Sequence, residues 1–308
     1  MRGRATLLIP PLFKNRGFLS DYYETRYEFF RSEFFFWALL YNTIQITRSL
    51  SEINMSLIPV KVLTTEKVDD RLVFMTVEKP AALTYKPGQF VRCALPLVEN
   101  PQTDSDFIAR PYSMASHPND EELAFFIAKL PDGEMSPQMF DLNAGDTLYV
   151  DDTAWGMMTD MRLAKGETLL MMASGTGLAS FLSFMKDDLW SRYDRVIIVH
   201  SVRKNIDHAL TERILNEARG HENAFDFVSI TTREPNVSKM NGFNQRLPEL
   251  IESGEFEKML GVELTPEKAR VILCGNPDFV QAVKTQLKAR GFTAPRRGQM
   301  GTLVSETY

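Results

Sequence analysis

The sequence predicts two lobes in series, a small antiparallel β-barrel followed by an α/β unit built on a parallel sheet. Three observations lead there. Residues 56 to about 158 read as short runs rich in β-branched and aromatic residues, separated by turn sequences. From about 159 onward, apolar strands alternate with stretches of helical spacing. The chain of 308 residues is also long enough to form two cores.

In the first lobe, strands are predicted at Val60–Thr65, Leu72–Glu78, Gln89–Leu95, Tyr112–Ser116, Glu122–Lys129 and Thr147–Asp151. Between them lie Lys86-Pro87-Gly88, His117-Pro118-Asn119-Asp120, Pro131-Asp132-Gly133 and Asn143-Ala144-Gly145-Asp146. Proline presets φ in such segments, and glycine, asparagine and aspartate accept turn conformations. In the second lobe, Thr168–Ala173 precedes a helix over 178–190, with Leu178, Phe181, Leu182, Met185 and Leu189 at helical spacing. Arg195–His200 then precedes a helix near 207–219, Phe225–Thr231 a helix near 244–253, and Val271–Cys274 a helix near 277–290. Such a sheet takes ligands at the carboxyl ends of its strands, where the strand order reverses.

Residues 1–54 form an N-terminal extension of different character, aromatic-rich from Asp21 to Trp37 and without cofactor chemistry. One reading is an amphipathic helix over 21–46 lying on the body or on a partner. The favoured one is a native start at Met55, because the sequence from there runs directly into strand-like alternation.

Composition narrows the function. Hydrophobic residues are 44% and charged residues 24%, as in ordinary globular proteins. A net charge of −5 without a basic block argues against a nucleic-acid partner. Cys93 and Cys274 lie far apart, too few to ligate an iron–sulfur cluster, and the four histidines show no metal-ligand spacing. The apolar run Phe34 to Tyr41 is too short to span a membrane, and no signal-peptide cleavage site follows it. A reduced, cytoplasmic protein is expected.

Four motifs carry the chemistry. Arg110-Pro111-Tyr112-Ser113-Met114-Ala115-Ser116 sets a cation, a flat aromatic and a hydroxyl on one strand. Arginine can neutralise a phosphate, tyrosine can lie against a planar ring, and serine can hydrogen-bond a ring nitrogen. Ser174-Gly175-Thr176-Gly177-Leu178 falls between a strand and a helix, where glycines admit close approach and the helix start offers N–H groups to a diphosphate. Cys274-Gly275-Asn276-Pro277-Asp278 is placed likewise; its glycine can admit a flat ring, and Asn276-Pro277 also reads as a plain helix N-cap. The chain ends in Ser305-Glu306-Thr307-Tyr308, where fraying is the default for a terminus. Each motif is commonplace alone.

Their order and spacing are specific. With Tyr85-Lys86-Pro87-Gly88-Gln89-Phe90 leading into the first motif, residues 57–308 resemble the ferredoxin–NADP reductase family in its bacterial form. The stretches 200–205, 231–235 and 244–254 add to the likeness. The resemblance implies an FAD-binding barrel domain at 55–158 and an NADP-binding α/β domain at 159–308. It implies that Arg110, Pro111, Tyr112 and Ser113 hold FAD, with Ser113 beside the flavin N5. The backbone of Glu134, Met135 and Ser136, joined by Ile127, Ala128 and Lys129, would meet the FAD diphosphate, and Thr176 would lie between flavin and nicotinamide. Gly175, Gly177, Gly275, Asn276 and Asp278 would line NADP, and Arg203, Arg233 and Arg246 would grip its 2′-phosphate and neighbouring phosphate. Three arginines suit a phosphate dianion, whereas an NAD enzyme would place an acid near the ribose hydroxyls. The Glu306-Thr307-Tyr308 ending resembles that of plant-type members. Ser113, Cys274, Glu306 and Tyr308 are therefore expected to form one catalytic cluster at the flavin edge, with Tyr308 stacked on the ring and moving aside for nicotinamide.

The implied reaction is hydride transfer between nicotinamide C4 and flavin N5, coupled to one-electron exchange with ferredoxin or flavodoxin. Those carriers are acidic, so a basic docking patch is expected, with Lys288, Arg290, Arg296 and Arg297 as candidates. The rivals are an oxygenase reductase component, a reductase of free flavin or quinone, and a redox-sensing subunit without turnover. A monomer is expected.

Overall fold

The computed structural model describes residues 57–238 and 241–308; the N-terminal extension, with both readings of it, lies outside the described residues. Strands β1 (Leu57–Lys67), β2 (Leu72–Glu78), β3 (Phe90–Pro96), β4 (Phe107–Ser113), β5 (Glu122–Ala128) and β6 (Thr147–Asp151) form one sheet in the order β4-β3-β6-β1-β2-β5. All its ladders are antiparallel. Period-two burial drives it: Val60 and Val62 point into the core while Lys61 points out. The first hairpin closes where the Asp69 carboxylate accepts from the Arg71 and Leu72 amides.

The fourth strand differs from expectation, covering Phe107–Ser113 rather than Tyr112–Ser116. Its ladder with β3 runs from Phe90↔Ser113 to Pro96↔Phe107, so pairing is exhausted at Ser113. Beyond it the chain meets the other edge strand: Ala115 N donates to Ala124 O, and Ser116 Oγ accepts from Ala124 N. The antiparallel sheet thus bends its two edges together without a continuous ladder between them. A short helix not expected from the sequence, α1 (Ser136–Asp141), buries Met139 and Phe140 under this sheet.

The second sheet is parallel throughout, with β7 (Thr168–Ser174), β8 (Arg195–Val202), β9 (Phe225–Thr231), β10 (Asn241–Phe243), β11 (Ala269–Gly275) and β12 (Leu303–Thr307). Its order is β10-β9-β8-β7-β11-β12, so the winding reverses between β7 and β11. The helix expected over 178–190 is shorter: a 3-10 turn at Gly175–Leu178 leads into α2 (Ala179–Met185). Further helices are α3 (Thr211–Glu217), α4 (Leu247–Ser253), α5 (Glu255–Leu260) and α6 (Pro277–Ala289). The tail expected to fray is instead an edge strand. Leu303–Thr307 pairs in register with Val271–Gly275, and Leu303 and Val304 are buried.

One apolar cluster belongs to both sheets. Leu72, Phe74, Ala124 and Phe126 pack together with Leu178, Phe181 and Leu182. Ion pairs flank it: Arg71–Asp207 at 2.8 Å, Lys186–Asp120 at 2.8 Å and Arg213–Glu66 at 2.5 Å, with the Arg213 guanidinium also over the Phe74 ring. Cys93 and Cys274 are buried free thiols. Among the described residues, no helix is long and apolar enough to cross a membrane.

Candidate active site

The two strand–helix turns meet where the winding reverses, the crevice that open α/β sheets use for ligands. Strand β7 ends at Ser174, and Gly175 follows with φ +53. A Cβ on Gly177 would lie 2.8 Å from Cys274 O, so the two turns touch backbone to backbone and only glycine fits. Ser174 Oγ accepts from both the amide and the side-chain Nδ2 of Asn276, each at 3.0 Å. The Asn276 side chain accepts from Phe279 N at 3.0 Å, so its N-cap reading holds, with Pro277 at the helix start. Gly275 lies between these groups, and Asp278 is exposed on the first helical turn.

The chain end closes over this junction. Tyr308 N donates to Gly275 O at 3.3 Å, and its hydroxyl donates to Ser174 O at 3.0 Å. Burial of that hydroxyl raises the phenol pKa, opposed by its bonds to Thr176 and Ser174. The residue as a whole is 57% exposed, although its hydroxyl is held against the turn. Glu306 stands opposite Cys274 in the parallel register. Its Oε2 is buried without a partner, and burial pushes the carboxyl up to about 7. A Cβ on Gly156 would sit 3.0 Å from Glu306 Oε1 and 3.1 Å from the Phe90 ring, so glycine leaves this carboxylate its space. Cys274 is enclosed, and burial, then the nearby Glu306 charge, pushes its thiol up to about 12; it is a neutral packing group.

Of the expected cluster, Cys274, Glu306 and Tyr308 thus lie together at the adjoining ends of β11 and β12. Ser113 approaches from the other sheet across Phe90, its ladder partner, and makes no hydrogen bond to those three among the described residues.

The other expected flavin contacts line the first sheet. Arg110 is not a bare cation: its guanidinium donates to Glu134 Oε2 at 2.9 Å and to Ala109 O. Pro111 is exposed opposite Arg92. Tyr112 packs edge-on to Phe125 with its phenol pKa raised by burial. Ile127 and Met135 are buried, so only their backbone can face a ligand. Ala128 ends β5, the Lys129 amide donates to Arg71 O, and Ser136 Oγ accepts from Leu130 N, holding the Pro131–Gly133 turn against α1.

On the second sheet, Arg233 N donates to Arg203 O at 3.0 Å, which sets two of the three expected phosphate-binding arginines side by side. Arg246 stands at the start of α4, on a loop that Asn244 ties back to Thr231 O and Glu234 O. All three side chains are exposed, and none of the guanidinium groups has a partner among the described residues.

Sequence reasoning missed His200 and His208, although both lie in or beside the stretch that carries Arg203. His200 Nε2 is 2.9 Å from Gly175 O; a carbonyl only accepts, so Nε2 carries the proton. Its Nδ1 then accepts from His208 Nδ1 at 3.0 Å. His208 Nε2, bare in this tautomer, faces the Thr231 hydroxyl at 3.2 Å, whose single proton goes either to it or to Asn205 Oδ1 at 3.0 Å. Burial lowers both imidazole pKa values, with the neighbouring Asp207 charge opposing this at His208. The glycine turn is therefore anchored from below by a buried imidazole backed by a half-buried one. The available signal was His200 at the end of an apolar strand, where a buried polar group requires a partner.

Two family profiles match the chain, one described as an oxidoreductase FAD-binding domain over residues 59–153 and one as an oxidoreductase NAD-binding domain over 171–285. A flavodoxin/ferredoxin–NADP reductase of Escherichia coli is 30% identical over 223 residues, covering 72% of this chain and 86% of the relative. The ferredoxin–NADP reductase of Pseudomonas aeruginosa is 30% identical over 256 residues, covering 80% and 95%. A crystal structure of a ferredoxin NADP+ reductase from Neisseria gonorrhoeae with bound FAD and NADP superposes with a TM-score of 0.74 at 29% identity, over 82% of this chain and 98% of that one. At this identity over most of both sequences, the chain belongs to the ferredoxin–NADP reductase family.

Proposed function

We propose that this chain moves electrons between NADP(H) and a one-electron carrier protein, ferredoxin or flavodoxin, with FAD as its resident cofactor. One observation carries the reading. The last residue is tied to both touching strand–helix turns, its phenol hydroxyl to Ser174 O and its amide to Gly275 O, near a buried carboxylate oxygen that has no partner. A planar ring edge fits there, because the ring supplies a stacking face and the orphaned oxygen awaits a polar group. When bound, FAD supplies the redox chemistry, exchanging hydride at N5 with nicotinamide C4 and passing electrons singly to the carrier.

The chain's own residues bind and orient. On this reading, 55–158 hold FAD through Arg110, Tyr112, Ser113 and the backbone of 127–129 and 134–136, while 159–308 hold NADP. Ser113 offers a hydroxyl at the ring nitrogen. Glu306, near neutrality in its proton affinity, can hold or release a proton at the rim. The contact of Gly177 with the Cys274 backbone leaves no side chain between the turns, so nicotinamide can lie flat over Thr176. Arg203, Arg233 and Arg246 select the 2′-phosphate by charge-assisted hydrogen bonds.

The test is an anaerobic titration of the visible spectrum with NADPH and with NADH, in the wild type and in an Arg203→Ala/Arg233→Ala variant. Bleaching at much lower NADPH than NADH is expected in the wild type. In the variant, KM for NADPH should rise about tenfold or more, since a hydrogen bond to a charged group contributes about 1.5–3 kcal/mol, with little change for NADH. Colourless protein that cannot be loaded with FAD would refute the reading.

A further inference from the structure

The two imidazoles lie between parts of the site that one dinucleotide would reach at once. On one side is the Gly175 turn, over which the nicotinamide is placed. On the other are the loops that leave β8 and β9, residues 203–208 and 231–237, which carry Arg203 and Arg233. Hydrogen bonds run between them without a gap. His200 Nε2 donates to Gly175 O at 2.9 Å, and its Nδ1 accepts from His208 Nδ1 at 3.0 Å. The Thr231 hydroxyl stands 3.2 Å from His208 Nε2 and 3.0 Å from Asn205 Oδ1. Asn205 then ties the two loops to each other. Its amide donates to the Glu234 carboxylate, its side chain donates to Pro235 O at 2.8 Å, and its Oδ1 accepts from Val237 N at 3.3 Å.

The middle of this chain of bonds is stiff. His200 and Thr231 are fully buried, so water cannot stand in for a partner that moves away. Burial lowers the imidazole pKa values to about 3 at His200 and about 4 at His208, so each ring keeps one donor and one acceptor near pH 7. The loop end differs. Arg233 N donates to Arg203 O at 3.0 Å, which holds two exposed like charges side by side, and neither has an ion pair among the described residues. Like charges repel until an anion joins them, and a phosphate dianion would draw both guanidinium groups to one point and fix the loops that bear them. NADPH and NADH are identical at the nicotinamide. Arginines that grip the 2′-phosphate equally before and during reaction make NADPH bind more tightly, but they do not make it react faster once bound. A rigid link from those loops to the nicotinamide turn can do so.

We propose that His208 and Asn205 are positioning residues that transmit the grip on a 2′-phosphate, through His200, to the Gly175 turn, so that selection for NADPH acts on the rate of hydride transfer as well as on affinity. This rests on the reductase reading. The phosphate stills the loops, the loops hold His208, and His208 holds the imidazole that fixes the Gly175 carbonyl. NADH, which lacks the phosphate, leaves the loops as they are and meets a less firmly placed turn.

The experiment mixes FAD-loaded enzyme rapidly and anaerobically with saturating NADPH or saturating NADH and follows bleaching of the flavin. The wild type should be reduced faster by NADPH, by about fivefold or more, the lower end of coupling between sites. His208→Leu removes the donor to His200 and should lose most of that ratio through a slower NADPH rate, with the NADH rate unchanged and adenosine 2′,5′-bisphosphate bound no more weakly. His208→Asn keeps an N–H near the Nδ1 position and should restore much of the ratio. A wild-type ratio near one, a ratio that survives in His208→Leu, or equal losses with both nucleotides would each overturn the proposal, the last by showing that His208 only supports the fold. If His208→Leu fails to hold FAD, amide hydrogen exchange on the wild type decides. Saturating adenosine 2′,5′-bisphosphate, but not adenosine 5′-monophosphate, should slow exchange at residues 175–178, and equal exchange with the two would overturn the link. A wild-type flavin that neither NADPH nor NADH bleaches would remove the reductase reading, and the link with it.

Discussion

Replacing Glu306 with glutamine measures how tightly the fold holds a proton on that carboxylate. Burial raises its pKa from the ordinary 4.5 to about 7. In the interval between those values the folded state keeps a proton that the unfolded state has lost. Stability contributed by the protonated form is therefore full below the unfolded value, declines as pH rises through the interval, and is gone above the folded value. Each pKa unit corresponds to about 1.36 kcal/mol, so the whole interval amounts to about 3 kcal/mol. That figure is a ceiling, because part of the side chain meets solvent. Glutamine carries no titrating group but keeps the size. The assay is urea unfolding of wild type and Glu306→Gln, both FAD-loaded, at several pH values from about 5 to 8. The two should be close in stability near pH 5, and the variant should be the more stable near pH 8 by up to about 3 kcal/mol. Taking the difference at each pH cancels every other titrating group. Curves that stay parallel across this range would show that the carboxylate is solvated in the holoenzyme and would refute the buried-acid account.

Two further outcomes follow from the glycine turn. Gly177→Ala drives a Cβ into the Cys274 backbone at 2.8 Å, whereas at Gly175 the added carbon meets the movable Tyr308 hydroxyl at 2.7 Å. Thermal unfolding should show Gly177→Ala destabilised by about 1–3 kcal/mol with slow reduction by NADPH; Gly175→Ala should lose about 1–2 kcal/mol from its left-handed backbone and mainly change NADPH-over-NADH preference, and equal behaviour of the two would count against the close-approach argument. Nitrogen-15 NMR should find His200 as the Nε2–H tautomer, still neutral at pH values where an ordinary imidazole is charged. An Nδ1–H tautomer would break the proposed anchor.

Much of this architecture is legible in the sequence because its strands are short, strongly patterned and bounded by turn chemistry. Leu72–Glu78, Thr147–Asp151 and Phe225–Thr231 lie where alternation and apolar runs place them. The helices are less sharply written. Leu189 fits the helical period but falls beyond α2, which ends at Met185, because the following residues reverse direction through Asp187 N→Phe184 O and Leu189 N→Asp187 O. Gly254, with φ +74, separates α4 from α5, and the sequence offers no stronger hint of a second helix there. The last strand was obscured because a five-residue run at a terminus has no pattern of its own; its partner, β11, lies far upstream. For the site, Gly177 and Asn276 stand in motifs whose chemistry is local, so the sequence displays them. The pairing of Arg290 with Glu257, which takes it out of the expected basic patch, the pairing of Arg110 with Glu134 and the imidazole pair depend on residues brought together only by folding.

The apolar cluster shared by both sheets has a consequence for timing. Prising the halves apart would expose Phe74, Phe126, Phe181 and Leu182 to water, at about 25 cal/mol for every Å² uncovered, and would break the flanking ion pairs as well. A hinge is therefore a poor way to admit a dinucleotide. The lightest element available is a single phenol on the final residue, held at its hydroxyl by Ser174 and Thr176 through hydrogen bonds of roughly 1 kcal/mol each. An escape of that size is a fast local event rather than a collective one. Turnover in this protein should then be paced by chemistry or by departure of its partners, with the door itself opening many times per cycle.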